Sequence, residues 1–180
     1  MPKPKMINLS GHWTGFYSHH DNPRPITAHL SQNGDSLFGT MNDEVTDFDD
    51  SVSELAMEEG LPPGADEQIV EKIRSICPEA PLEPVRAAFH LPSDSTVEGE
   101  VQGRAVLFRK TYQGQYFAGF RIGEIRVGKL GEDQEVQYLG TLSPDGNEIQ
   151  GRWQVLDEDD VPLQRSSGSF VLRRAEPHEN

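Results

Sequence analysis

The residues best suited to ligand chemistry are concentrated between 104 and 129. Arg104, Arg109, Lys110, Arg121, Arg126 and Lys129 stand there against Glu124 alone, with Tyr112, Tyr116, Phe117 and Phe120 interleaved. Guanidinium and ammonium groups give charge-assisted hydrogen bonds to anions, and aromatic faces stack on flat rings. With Tyr17 from an early strand, the residues Arg109, Lys110, Tyr112, Tyr116, Phe117 and Arg121 make a candidate rim for a small apolar or aromatic anionic ligand. The competing explanation is internal compensation. Residues 43–59 carry eight acidic side chains and no basic one, and could lie over the basic segment.

Other chemistry is sparse. His19-His20-Asp21 is the densest run of potential metal ligands, but neighbours on a strand point to opposite faces, so one ion could hardly take both imidazoles. Asp47-Phe48-Asp49-Asp50 alternates carboxylates yet lacks the glycine and the distant bidentate Glu of a calcium loop. Asp157-Glu158-Asp159-Asp160 reads as a charged hairpin tip. The chain has no Gly-x-Ser-x-Gly elbow, His-Glu-x-x-His, dinucleotide glycine fingerprint or P-loop. Neither a metal nor a cofactor is expected, and no catalytic residue is assigned. Trp13 and Trp153 each follow a residue or two after a Gly on an apolar parity, which assigns them to a core or barrel plug. Cys77 lies on an apolar helix stripe and is expected to be a buried, inert thiol.

The chain has 180 residues and a formal charge of −14. That charge disfavours nucleic-acid backbones and anionic membrane surfaces as partners. A single cysteine excludes an internal disulfide. The N-terminus has charges without an apolar run, as expected of a chain with no signal peptide, and no apolar stretch approaches membrane-spanning length. A cytoplasmic protein is the expectation.

These side chains need a scaffold, and its grammar is clearest at 138–153. Tyr138, Gly140 and Leu142 alternate with Leu139 and Thr141, Ser143-Pro144-Asp145-Gly146 supplies a turn, and Ile149, Gly151, Trp153 and Val155 alternate again. Leu30 to Met41 aligns on Leu142 to Trp153 without a gap. A first strand runs from His12 to His19. Asp21-Asn22-Pro23-Arg24-Pro25 reads as a turn, and strands follow from Ile26 and from Leu37. Residues 44–93 read as a mostly helical insertion, with Ser51 and Glu54 at capping-box spacing and a second helix from about Asp66 to Cys77. Strands resume at Val97 and at Val106, Phe108, Lys110 and Tyr112. Residues 113–135 read as an irregular Gly-rich excursion with room for a small hairpin at 120–127. Gly168, Phe170 and Leu172 mark a last strand.

The expectation is one mainly β domain over 1–180: an antiparallel up-and-down barrel of about eight strands, with a helical insertion between the third and fourth. A sandwich of two hairpin sheets is the second choice. Closure removes exposed sheet edges, and glycines at matched parity in six strands suit strong coiling. Parity places Trp13, Tyr17, Ala28, Leu30, Leu37, Met41, Val97, Val101, Tyr138, Leu142, Ile149, Trp153, Phe170 and Leu172 inside.

Leu9-Ser10-Gly11-His12-Trp13, opening the first strand, resembles the Gly-x-Trp opening of lipocalin-like and avidin-like barrels, and Gly151-Arg152-Trp153 repeats it. The resemblance implies a barrel plugged by Trp at one end and open to a small ligand at the other. The tryptophan-lined biotin pocket of avidins has no match here. An interior with few ionisable groups is a poor place for acid–base chemistry. A non-catalytic ligand-binding barrel with an apolar interior and a basic, aromatic rim therefore ranks first. A protein-interaction or inhibitor module using the helical insertion, and a barrel enzyme without a recognisable motif, are the alternatives.

Overall fold

Alternation of apolar and polar residues sets the strands, and their pairing closes the sheet. The structure is a computed structural model that describes residues 7–19, 22–156 and 162–175, the side chains of 162–166 excepted. In chain order the strands are β1 (Gly11–His19), β2 (Asn22–Asn33), β3 (Ser36–Asp43), β4 (Asp47–Ser51), β5 (Arg86–His90), β6 (Asp94–Gln102), β7 (Ala105–Tyr112), β8 (Gln115–Ile122), β9 (Ile125–Glu132), β10 (Glu135–Leu142), β11 (Glu148–Leu156) and β12 (Pro162–Arg174). Two helices, α1 (Val52–Glu58) and α2 (Ala65–Ile76), lie between β4 and β5. The fold is mainly β.

Eight strands form a closed antiparallel barrel in the order β1-β12-β11-β10-β7-β6-β3-β2. With β4, β5, β8 and β9 set aside, each strand pairs with its neighbour in sequence, and β1 pairs with both β2 and β12. The expected barrel, with a helix-bearing insertion after its third strand, is what the chain forms. All fourteen side chains assigned to the interior are buried.

The hairpin of β10 and β11 sets Tyr138 opposite Trp153 and Leu142 opposite Ile149. Gly146, at φ 76°, takes the left-handed turn position, and Ser143 Oγ accepts the amides of Asn147 and Glu148 at 3.2 and 2.9 Å. Gly151 lies where the two strands meet most closely: a Cβ there would overlap the Leu139 carbonyl.

One end of the barrel is shut. Trp13 is fully buried and donates through Nε1 to the Leu9 carbonyl at 2.9 Å. The Arg174 guanidinium lies 4.7 Å from the Trp13 ring and donates to the carbonyls of Asn8, Ser10 and Gly146. Cation, ring and carbonyls satisfy one another there.

The remaining strands make a separate sheet, in the order β4-β5-β8-β9. The chain divides into two compact units: the barrel, with residues up to Val45, Ser93–Gln113 and from Gln134 on, and a second unit of Thr46–Pro92 and Gly114–Asp133. In the second unit Val52, Ile73, Val85 and Ile122 form a core, with Ile69, Val70, Phe120 and Val127 packed on it. Ser51 caps α1 through a capping box with Glu54, as its spacing predicts.

Three local expectations are corrected. Residues 115–132 are a regular hairpin, with Gly119 opposite Gly128; glycines weaken strand propensity without forbidding a paired strand. Pro23 and Pro25 lie inside β2 and pair with Ser18 and Phe16 of β1. The β2–β3 ladder stops at Ile26 opposite Asp43, so both prolines occupy an edge where a missing N–H is tolerated. Cys77 is half-buried at the end of α2. Among the described residues no helix is long and apolar enough to cross a membrane.

Candidate functional site

The barrel end away from Trp13 contains charge. On β7 the even residues Val106, Phe108, Lys110 and Tyr112 point inward and are buried, and on β3 so are Leu37, Met41 and Asp43. The ladders set Asp43 opposite Ile26, Tyr112 opposite Ser95 and Lys110 opposite Val136. Asp43 and Lys110 therefore share one end of the interior.

Lys110 and Asp43 are completely buried at the side chain and form an ion pair. Lys110 Nζ also donates to the Tyr112 hydroxyl at 2.9 Å, and that hydroxyl donates to the second carboxylate oxygen of Asp43. The ammonium lies 4.3 Å from the Tyr112 ring centroid and 5.9 Å from that of Tyr17. Two charges, one hydroxyl and two aromatic faces make one buried constellation, and partners of this kind are what allow a charge to stay buried.

Burial pulls Lys110 below the usual lysine range, with Asp43 opposing the shift. Burial, with the Asp43 charge adding to it, pushes Tyr112 and Tyr138 well up. Tyr17 is raised by burial and then by Asp43, while a hydrogen bond with Arg24 works the other way. The tyrosines therefore hold their protons, and Lys110 releases its own more readily than a free lysine does.

Around this constellation the same end carries Trp153, whose ring meets Tyr17 edge-on at 5.8 Å and His19 at 5.7 Å. Trp153 Nε1 donates to the Ser18 carbonyl at 3.1 Å. Gln134 precedes Val136 and Tyr138 at the same inward parity, and its carbonyl accepts the Tyr112 amide at 2.9 Å. Its side-chain Oε1 is buried without a hydrogen-bond partner. A buried acceptor left unpaired is costly and asks for a donor.

The expected rim is divided. Tyr17, Lys110 and Tyr112 come together in the barrel. Arg109 has outward parity and pairs with Glu135 at 3.2 Å. Tyr116, Phe117 and Arg121 lie on β8 in the second unit. There Asp49 accepts from both Arg86 and Arg121, Tyr116 packs 6.4 Å from Phe89, and Arg126 lies 5.5 Å from the Phe117 ring. The hydrogen bond from Arg86, then that from Arg121, hold Asp49 below the usual carboxylate range.

The expectation of an interior almost without ionisable groups is thus corrected by Asp43 and Lys110. Composition groups Asp43 with the acidic insertion, although Leu37, Met41 and Asp43 keep one parity. Arg24, on the parity of Ile26 and Ala28, was likewise readable. Gln134 carried no signal.

Of the candidate metal ligands, Asp47 is 2.7 Å from His90 Nδ1 and Asp49 is held by arginines. His20, Asp21 and residues 157–160 lie outside the described residues. Among the described residues no group of three His, Cys, Asp or Glu is arranged to hold a metal ion. Comparison with protein-family models, with curated proteins and with solved structures gives no match.

Proposed function

We propose that the barrel is a non-catalytic binding module of the lipocalin-like or avidin-like kind, taking a small apolar or aromatic anion at the end bounded by Tyr17, Arg24 and Trp153. The observation that carries this is the asymmetry of the barrel. Trp13 and Arg174 close one end, their N–H groups donating to backbone carbonyls, whereas the other holds a buried ion pair, aromatic faces and the orphan Oε1 of Gln134. A flat apolar body suits the Tyr17 and Trp153 rings, and an anionic group suits the Arg24 guanidinium. Binding is favoured over turnover because Asp43, Lys110 and Tyr112 are committed to one another. A general acid or base needs a proton partner on the substrate.

The test uses anilinonaphthalene sulfonate, an aromatic anion, titrated into the full chain while tryptophan emission is followed. Saturable quenching is expected in the parent and should largely disappear in Trp153→Phe. Arg24→Gln should weaken binding about tenfold, the worth of a charge-assisted hydrogen bond. Dye binding indifferent to Trp153→Phe and Arg24→Gln would overturn the reading.

A second reading, an interaction module built on the insertion, is favoured by the side chains left in solvent there: Met57 at 77%, Ile76 at 55% and Leu82 at 99% exposure. Self-association through this surface would fall in sedimentation when all three are replaced by Ser.

A further inference from the structure

The sheet of the second unit sets three arginines side by side. Arg86 is directly opposite Arg121, and Arg121 is directly opposite Arg126. Three guanidinium groups therefore cross three adjacent strands in one row, with backbones about 5 Å apart. Like charges directly opposite one another destabilise a sheet. The row lies on the face opposite Phe120, Ile122 and Val127, the residues that pack with the helices, so helix packing does not account for it.

Asp49 offsets one of the three charges. It accepts from Arg86 Nε and from Arg121, whose Nε is at 3.1 Å. Arg121 also donates to the Gly123 carbonyl at 3.0 Å, which fixes its fork further. Asp50 and Glu54 act on Arg86 through space, so the acidic side chains gather at the β5 end of the row. Arg126, at the other end, is exposed and rests on the Phe117 ring.

The next row across the same face is Ala88, Gly119 and Gly128. Asp49, opposite Ala88, ends that row on β4. Across β5, β8 and β9 the row holds nothing taller than a methyl group, and the tip of the Phe117 ring folds to 3.1 Å from where a Cβ of Gly119 would be. Gly128 is exposed. The face thus offers a low floor beside three guanidinium groups, of which Arg126 is exposed and lies at the end away from Asp49, Asp50 and Glu54. The side chains of Arg86 and Arg121 are 38% and 35% exposed, so their forks are in reach of solvent.

We propose that this face of the second unit is a binding site for a phosphoryl-bearing anion, gripped chiefly by Arg121 and Arg126 with Arg86 behind them. Planar guanidinium forks match phosphoryl oxygens two at a time. Asp49 holds Arg86 and Arg121 extended before the ligand arrives, which reduces the side-chain entropy lost on binding. The site is independent of the barrel end and does not rest on its reading.

Inorganic pyrophosphate is the probe, titrated into the full chain at fixed ionic strength, with potassium chloride as the reference and the arginine Nε–H resonances as readout. Saturable shifts confined to Arg86, Arg121 and Arg126 are expected. Arg126→Gln should weaken binding about tenfold, and this variant leaves the Asp49 network intact. Arg173→Gln, which removes an exposed arginine of the barrel, should leave binding unchanged. Non-saturable shifts, shifts reproduced by chloride, or equal binding by the parent and Arg126→Gln would overturn the proposal.

Discussion

The barrel and the four-stranded sheet each hold a carboxylate between cationic or hydroxyl donors, in opposite surroundings. Asp43 is sealed inside with Lys110 and Tyr112, while Asp49 sits at the surface between Arg86 and Arg121. The same attraction is strong in a dry interior and weak in water, and the desolvation cost scales the same way. A buried pair is therefore close to all-or-nothing, because each partner makes the other tolerable. An exposed pair is cheap to make and to break, so its arginines remain available for other anions. The barrel uses charge to fix its interior, and the sheet uses it to present a face.

Breaking the buried pair is expected to give the largest effect. Lys110→Met leaves Asp43 as an uncompensated buried carboxylate and should cost roughly 3–5 kcal/mol in urea unfolding. The double variant Lys110→Met with Asp43→Leu should recover most of that loss, since a hydrophobic replacement removes both desolvation costs. A single-variant loss under about 1 kcal/mol would mean that the pair is wet and the contrast with Asp49 false.

Alkali tests the same interior through its tyrosines. Tyr17, Tyr112 and Tyr138 are raised above the ordinary 10.0, first by burial and then by Asp43. A folded value above the unfolded one gives stability that is complete below pH 10 and lost as pH rises toward the folded values. Each such group contributes at most about 1.4 kcal/mol per pH unit while the pH lies between its unfolded and folded values. Lys110 has the opposite sign. Its folded value is lowered from 10.5, so its contribution grows with pH up to that point and then stops. The chain should therefore lose stability steeply above pH 10, with tyrosinate absorbance of the three buried rings appearing only on unfolding. Tyrosinate absorbance of these rings at full folding would place water at the triad.

The period of two made the barrel legible. Trp13, Tyr138 and Trp153 keep their parity in sequence and are buried opposite the partners that parity implies. Lys110 was on the same parity as Val106 and Phe108, yet a charge is assigned to the interior only when its partner is known. That partner, Asp43, lies 67 residues away in a run that composition marks as solvated. The second sheet was legible only as room for a hairpin at 120–127, for a related reason. Asp47–Ser51 has one strong strand former, Phe48, and its pairing with Arg86–His90 crosses both helices. Strand identity there is supplied by neighbours distant in sequence. The arginine row is invisible without register, because Arg86 and Arg121 become adjacent only when β5 and β8 pair.

Gly151→Val probes the barrel wall and should cost about 1–3 kcal/mol by overpacking, since the added atoms must displace the Leu139 carbonyl or the β10 backbone. Gly34→Ala is the control: its Cβ would meet nothing within 4 Å, though its φ of 61° adds some backbone strain. If Gly151→Val melts with the parent, the β10–β11 approach is looser than the register implies.

The smallest effect is expected at the surface pair, and its size is the point of the comparison. Asp49→Ala removes the carboxylate shared by Arg86 and Arg121 but leaves both guanidinium groups within reach of water. Exposed pairs contribute little, so the melting temperature should fall by no more than about 3 °C at low salt. Releasing like charges in a cross-strand row adds repulsion that salt screens. The deficit should therefore shrink as ionic strength rises, whereas the deficit of Lys110→Met should stay nearly constant. The pH dependence has a definite sign as well. Arg86 and Arg121 hold Asp49 below 3.8, so its contribution is present above that value and is lost as pH falls through the folded one. Parent and Asp49→Ala should then converge in acid. A deficit that is large, insensitive to salt and undiminished in acid would mean that Asp49 is as structural as Asp43, and that the arginine row is held by the fold with no charge to spare for a ligand.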